Sequence, residues 1–180
     1  YRASIYAELK VAAAAGLRTV VLATGVRSAE YARGRDPALS ELACVQVGDH
    51  VGYALTQARR LGFARAIVST MVGKASKLAQ GRMQTHVSEG DVDLDFLAAI
   101  GRQLGADEET AAAVARGNTA HHVQVILRRA GIVGLEQRLA ALAATHAAAA
   151  VGEALAIEVW LWSVGGELLA VAGREKGFYA

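Results

Sequence analysis

Ala66-Ile67-Val68-Ser69-Thr70-Met71 is an apolar run, and Val72-Gly73-Lys74-Ala75-Ser76-Lys77-Leu78-Ala79-Gln80-Gly81 follows it with residues that favour helix. Six residues, with Ile67, Val68 and Thr70 β-branched, suit a buried strand; Gly73-Lys74 marks a turn into a short helix reaching about Gln80. The same pattern occurs twice upstream. Thr19-Val20-Val21-Leu22-Ala23 ends at Thr24-Gly25, and Ala43-Cys44-Val45-Gln46-Val47 ends at Gly48-Asp49. The second run leads into a helix carrying Val51, Ala54, Leu55 and Ala58 and stopped by Gly62. Three units of strand, glycine-bearing turn and helix predict an α/β fold: a Rossmann-like, mostly parallel sheet with flanking helices. In such sheets ligands lie beyond the carboxyl ends of the strands, where these glycines fall.

Outward from this frame, residues 2–15 place Ile5, Leu9 and Ala12 at helical spacing, with Gly16 as the stop. The second half reads differently. Residues 91–104, 107–116, 118–130 and 134–151 form helical patterns broken by Gly105, Gly117 and Gly131. A terminal pair, Ile157–Trp162 and Leu168–Val171, flanks Gly165-Gly166 and predicts a β-hairpin that extends the sheet. Asp91 is expected to cap its helix, with Asp93 and Asp95 in the favourable first turn, and Asn118 to cap another. Trp160 and Trp162 share one strand face and read as core or interface packing. The alanine-rich segment 139–151 reads as packing surface. Pro37 is the only proline and no repeat or linker divides the chain, so residues 1–180 are expected to form a single domain.

Charge is unevenly distributed. Residues 50–88 hold Arg59, Arg60, Arg65, Lys74, Lys77 and Arg82 and no Asp or Glu; the chain is +2, so this window is +6 and the remainder −4. Such segregation beside glycine turns points to an anionic small molecule. The net charge of +2 is too small for a dedicated nucleic-acid binder, and no aromatic residues interleave a basic stripe. No run of eighteen uncharged apolar residues indicates a membrane span, and the first residues carry no signal-peptide pattern, so a cytoplasmic protein is expected. A lone Cys44 excludes an internal disulfide and reads as a small buried hydrophobe.

Gly73-Lys74 invites a phosphate-loop reading, which fails. That pattern needs Gly five residues before Gly73 and Ser or Thr after Lys74, where this chain has Val68 and Ala75. A glycine fingerprint for dinucleotides is absent too. What survives is general: Lys74, Lys77 and Gly81 on one face near a helix start suit carboxylates or phosphates, unless they form a solvated basic face. Thr85-His86 follows in a loop, where a histidine serves as acid, base or carboxylate anchor, or as an ordinary polar residue. Asp91, Asp93 and Asp95 lack the glycine a calcium loop needs at its sixth position, which is Phe96. His121 and His122 are adjacent and point in different directions on a helix, so no protein-bound metal is expected.

The order Gly73-Lys74-Ala75-Ser76-Lys77-Leu78-Ala79-Gln80-Gly81, then Thr85-His86 and Val92–Leu97, resembles the CbiD family, the cobalt-precorrin-5B C(1)-methyltransferases of cobalamin synthesis. Val21–Ser28, Val45–Gly52 and Gly117–Ala120 resemble it in order and spacing. Family members are about twice this length, and their glycine- and threonine-rich amino-terminal region has no counterpart here. The chain therefore looks like the carboxyl-terminal domain of a two-domain methyltransferase. The resemblance implies methyl transfer from S-adenosylmethionine, as co-substrate, to C-1 of an anionic corrin precursor rich in acetate and propionate groups. It places substrate carboxylates near Gly73, Lys74, Lys77, Gly81, Arg82 and Thr85, and the donor near Thr24, Gly25, Gln46, Gly48 and Asp49. His86 becomes the residue that anchors a carboxylate or moves a proton. An amino-terminal half or a second copy of the chain is the expected protein partner. The alternative is a non-catalytic module that holds a tetrapyrrole or another polyanion; generic nucleotide binding is disfavoured.

Overall fold

Strands β1 (Thr19–Ala23), β2 (Cys44–Gln46), β3 (Arg65–Met71), β4 (Ala156–Trp162) and β5 (Leu168–Gly173) join in one sheet, ordered β2-β1-β3-β4-β5. The first four are parallel and β5 returns antiparallel along β4. This arrangement belongs to a computed structural model that describes residues 1–86, 88 and 90–173. The fold matches the one predicted from the sequence, including the hairpin as an extension of the sheet.

The strands are continuous apolar runs because both sheet faces are covered. On one face lie α1 (Arg2–Ala14), α3 (Val51–Arg60) and α8 (Leu135–Val151); on the other lies α2 (Val26–Arg35). The predicted stripe Ile5, Leu9 and Ala12 is the face that α1 buries. Between β3 and β4 run α4 (Val72–Leu78), α5 (Leu94–Gln103), α6 (Glu108–Ala115), α7 (Ala120–Arg129) and then α8. The alanine-rich segment is packing surface within the chain. Ala140, Ala143, Ala144 and Ala147 turn inward, and their small side chains let α8 lie close on β4, β5 and α4. Among the described residues no helix is long and apolar enough to cross a membrane.

Three boundaries differ from expectation. Asp93, not Asp91, caps α5, its carboxylate accepting the Phe96 N–H at 2.9 Å; the helix starts at Leu94, which leaves Asp91 upstream and Asp95 in the first turn. Thr119, not Asn118, caps α7. Its extended backbone aims the hydroxyl at the His122 N–H, 3.0 Å away. Gly73 lies inside the first turn of α4, which begins at Val72 directly after β3, so no separate turn residue intervenes.

Trp160 and Trp162 pack edge to face in a small apolar cluster with Val21, Ala32 and Ile67 under α2. Cys44 is half-buried beside it, and burial pushes its thiol up despite the nearby Arg33 charge.

Candidate functional site at the strand carboxyl ends

The connection leaving β1 reaches β2 on one side, and the one leaving β3 reaches β4 on the other. Their carboxyl ends therefore part into a crevice, the usual ligand position in open α/β sheets. A cavity of about 380 Å³ opens there. Thr24, Gly25, Val26, Arg27 and Ser28 form the wall from β1 and α2, while Met71, Gly73 and Lys74 come from β3 and α4.

Buried hydroxyls fix this wall. The Thr24 hydroxyl bonds that of Thr70 at 3.0 Å, and the Thr24 N–H donates to the Ser69 carbonyl. Ser69 Oγ donates to the Ser28 carbonyl at 2.7 Å and accepts the Trp162 indole N–H at 2.8 Å. Ser28 Oγ in turn accepts the Gly25 N–H at 3.1 Å, closing the first turn of α2. These bonds tie α2 to β3 and to the hairpin, so the wall is rigid. Gly25 and Gly73 supply bare backbone: a Cβ added at either meets nothing within 4 Å. Neither glycine is required by packing around it, and both leave room inside the crevice.

The two lysines differ. Lys74 Nζ donates to the Thr24 carbonyl at 2.7 Å and sits 3.1 Å from Asp49 Oδ1, half-exposed at the cavity edge. Lys77 is only 6% exposed, and its ammonium donates to the Thr85 carbonyl at 2.9 Å. Buried away from the cavity, it holds the chain after α4 in place. Asp49 joins both regions by also accepting the Thr85 hydroxyl at 2.8 Å. Burial pushes the Asp49 carboxyl up, but the bonds from Thr85 and Lys74 and the charges of Lys74 and His86 outweigh it. The carboxyl is held below its ordinary range.

Residues 82–86 are thus strapped onto the turn that begins α3. Thr85 N–H donates to the Asp49 carbonyl, Gly52 N–H to the Met83 carbonyl, and His50 pairs with Gln84 at 3.0 Å. Gly81 enters the strap with φ +80, beyond the end of α4. Arg82 reaches the carbonyls of Gly90 and Asp91. His86 is exposed, its Nδ1 accepting the Ser88 N–H. Gln46 is exposed at the end of β2, and Gly48 turns the chain with φ +56, a conformation glycine adopts without strain. Of the residues expected from sequence, Thr24, Gly25, Gly73 and Lys74 line the cavity. Asp49 and Thr85 connect to it through Lys74, and Gln46, Gly48, Lys77, Gly81, Arg82 and His86 lie outside its wall.

The basic window does not form a patch. Arg59 and Arg60 end α3 and Arg65 begins β3, whereas Lys74, Lys77 and Arg82 follow the other end of that strand. Seven strand residues separate the two groups by roughly 20 Å. Sequence reasoning passed over Arg27 as a site residue. This exposed arginine lines the cavity, and no described residue pairs with its guanidinium. Its position two residues after the Gly25 turn was the available signal. A second opening of about 510 Å³ adjoins Tyr31, Trp162 and Leu168, with Glu30 and Arg35 at its rim. Among the described residues no three His, Cys, Asp or Glu side chains gather as a metal site would require.

A family model described as the C-terminal domain of CbiD matches residues 84–173. A protein of Geobacillus thermodenitrificans, 39% identical over 177 residues, is named cobalt-precorrin-5B C(1)-methyltransferase; the match covers 98% of this chain and 48% of that one. Proteins of the same name from Salinispora arenicola and Priestia megaterium are 37% and 33% identical, across 97% and 96% of this chain and 46% and 47% of their own. The chain spans about half the length of the curated relatives it matches. No solved structure matches it.

Proposed function

The chain belongs to the CbiD family, and from that premise we propose that it is the carboxyl-terminal part of a cytoplasmic methyltransferase acting on C-1 of cobalt-precorrin-5B in cobalamin synthesis. S-adenosylmethionine is the methyl donor, and the substrate is an anionic corrin precursor. Residues upstream in the longer relatives correspond to the partner that completes the site.

The observation that carries this reading is the crevice between β1 and β3, with fixed walls and two glycines that leave their backbone bare. Methyl transfer asks for this kind of preorganisation. The C-1 carbon attacks the sulfonium methyl, the carbon–sulfur bond breaks with its electron pair going to sulfur, and a neutral thioether leaves. Little proton movement accompanies that step, so alignment and exclusion of water supply most of the rate. The scarcity of acid–base groups in the cavity wall fits such a reaction: Thr24, Ser28, Arg27 and Lys74 are its polar members. Lys74, held by Asp49 and Thr24, keeps the cavity edge polar without mobility, and the Thr85 strap steadies Asp49. His86, exposed beyond the strap, is left to meet a macrocycle carboxylate and not the donor.

Calorimetric titration with S-adenosylhomocysteine tests where the donor lies. Saturable binding that disappears when Gly25 and Gly73 are both changed to Ala supports a donor site in the crevice. Unchanged binding in that variant would remove the crevice from the reading.

A further inference from the structure

We infer that Arg27 makes this cavity a carboxylate subsite, and that the cation meeting the ligand is this arginine and not Lys74. The inference rests on the reading of the crevice given above and names the chemistry of one part of it. Lys74 reaches the cavity with its ammonium already engaged by the Thr24 carbonyl at 2.7 Å and Asp49 at 3.1 Å. An anion approaching it meets a charge largely neutralised by its neighbour. Arg27 stands on the opposite wall, exposed, with no partner among the described residues.

A guanidinium offers a planar fork of N–H donors that matches the two oxygens of a carboxylate, and it stays charged at every relevant pH. The wall around it is shaped to admit such a group. Gly25 precedes it and Gly73 faces it, each with open space where a side chain would project. The Ser69–Ser28 bond holds the turn of α2 that carries Arg27, so the fork starts from a fixed backbone. Two ligands bring a carboxylate to this place: the amino-acid end of the methyl donor, and the acetate or propionate arms of the macrocycle. Both present the same group, and experiment separates them.

The test is calorimetry on the chain, R27A and R27K with three probes. These are S-adenosylhomocysteine, cobyrinic acid (a corrinoid with free acetate and propionate arms) and citrate. R60A serves as the charge control, because Arg60 ends α3 far from the cavity. R27A is expected to weaken at least one probe tenfold or more, R27K to restore only part of the loss, and R60A to change nothing. Loss confined to S-adenosylhomocysteine assigns the donor's carboxylate, and loss confined to cobyrinic acid assigns the macrocycle's. Arg27-dependent binding of citrate alone keeps the subsite and removes the proposed ligands. Probes that bind R27A as tightly as the parent, or a parent that binds none of the three, overturn the inference. In the first of those cases S-adenosylhomocysteine binding still supports the methyltransferase reading.

Discussion

The two ends of β3 carry ion pairs with different duties. At its amino end Arg65 pairs with Glu158 of β4, with side chains 21% and 10% exposed, and the Trp160 indole N–H holds the other carboxylate oxygen at 2.6 Å. At its carboxyl end Lys74 pairs with Asp49, with side chains 33% and 25% exposed. The first pair spans neighbouring strands in a covered sheet and sets their match. The second sits at the mouth of a cavity and shares its members with a strap. Sequence proximity groups Arg65 with Lys74 in one basic window, but the strand between them makes one structural and leaves the other at the site.

Removing Arg65 breaks the comparison most severely. R65A leaves the Glu158 carboxylate buried with only the indole N–H, and is expected to cost about 3 kcal/mol of stability. Urea denaturation measures this, and affinity for S-adenosylhomocysteine should not change in the folded fraction. K77A comes next. It removes a buried charge-assisted bond to the Thr85 carbonyl and should cost about 2 kcal/mol. Hydrogen exchange should then quicken at Thr85 and Gly52, whose N–H groups belong to the strap.

K74A sharpens the contrast from the other side. A half-exposed pair contributes at most about 1 kcal/mol, so stability should barely move. Asp49 then faces the crevice without its counter-ion, and citrate affinity should fall about threefold at low salt, a loss that fades as salt screens the charge. The smallest effect is on pH dependence. The folded Asp49 carboxyl ionises below its ordinary value of 3.8. Its contribution is therefore complete above that value and is lost as pH falls through the folded one. D49N should lose this small contribution at neutral pH and flatten the acid limb of the stability curve below about pH 4, so that the two stabilities converge in acid.

Much of the fold was legible because burial writes itself into the sequence. Apolar runs ending at Thr24-Gly25, Gly48-Asp49 and Gly73-Lys74 fall where strands β1, β2 and β3 give way. The stripe Ile5, Leu9 and Ala12 is the buried face of α1. Caps were harder to read, because Asp91 and Asp93, or Asn118 and Thr119, are chemically alike. Only the backbone angle at the true start decides which oxygen reaches the third N–H. Site residues divided similarly. Thr24, Gly25, Gly73 and Lys74 follow from the rule that crevices lie beyond strand ends. Lys77 looks like Lys74 three residues on, yet its helical position turns it inward, where its ammonium donates a hydrogen bond to the Thr85 carbonyl. Arg27 lies within the Val21–Ser28 stretch but was not among the expected site residues; only the fold puts it in the cavity wall together with Gly73.

By itself the sequence determined a parallel α/β frame, a helical insertion before a closing hairpin, and membership of one family. Periodicity, glycine punctuation and ordered motifs are properties of neighbours along the chain. Which cation is buried, which is paired and which is left facing the cavity depends on groups far apart in sequence, such as Asp49, Thr85 and Glu158. Those relations exist only after the strands have paired as β2-β1-β3-β4-β5. Burial and Coulombic pairing act through space, so the tertiary structure alone sorted a uniformly basic window into a brace, an anchor and an ion pair that fixes the sheet.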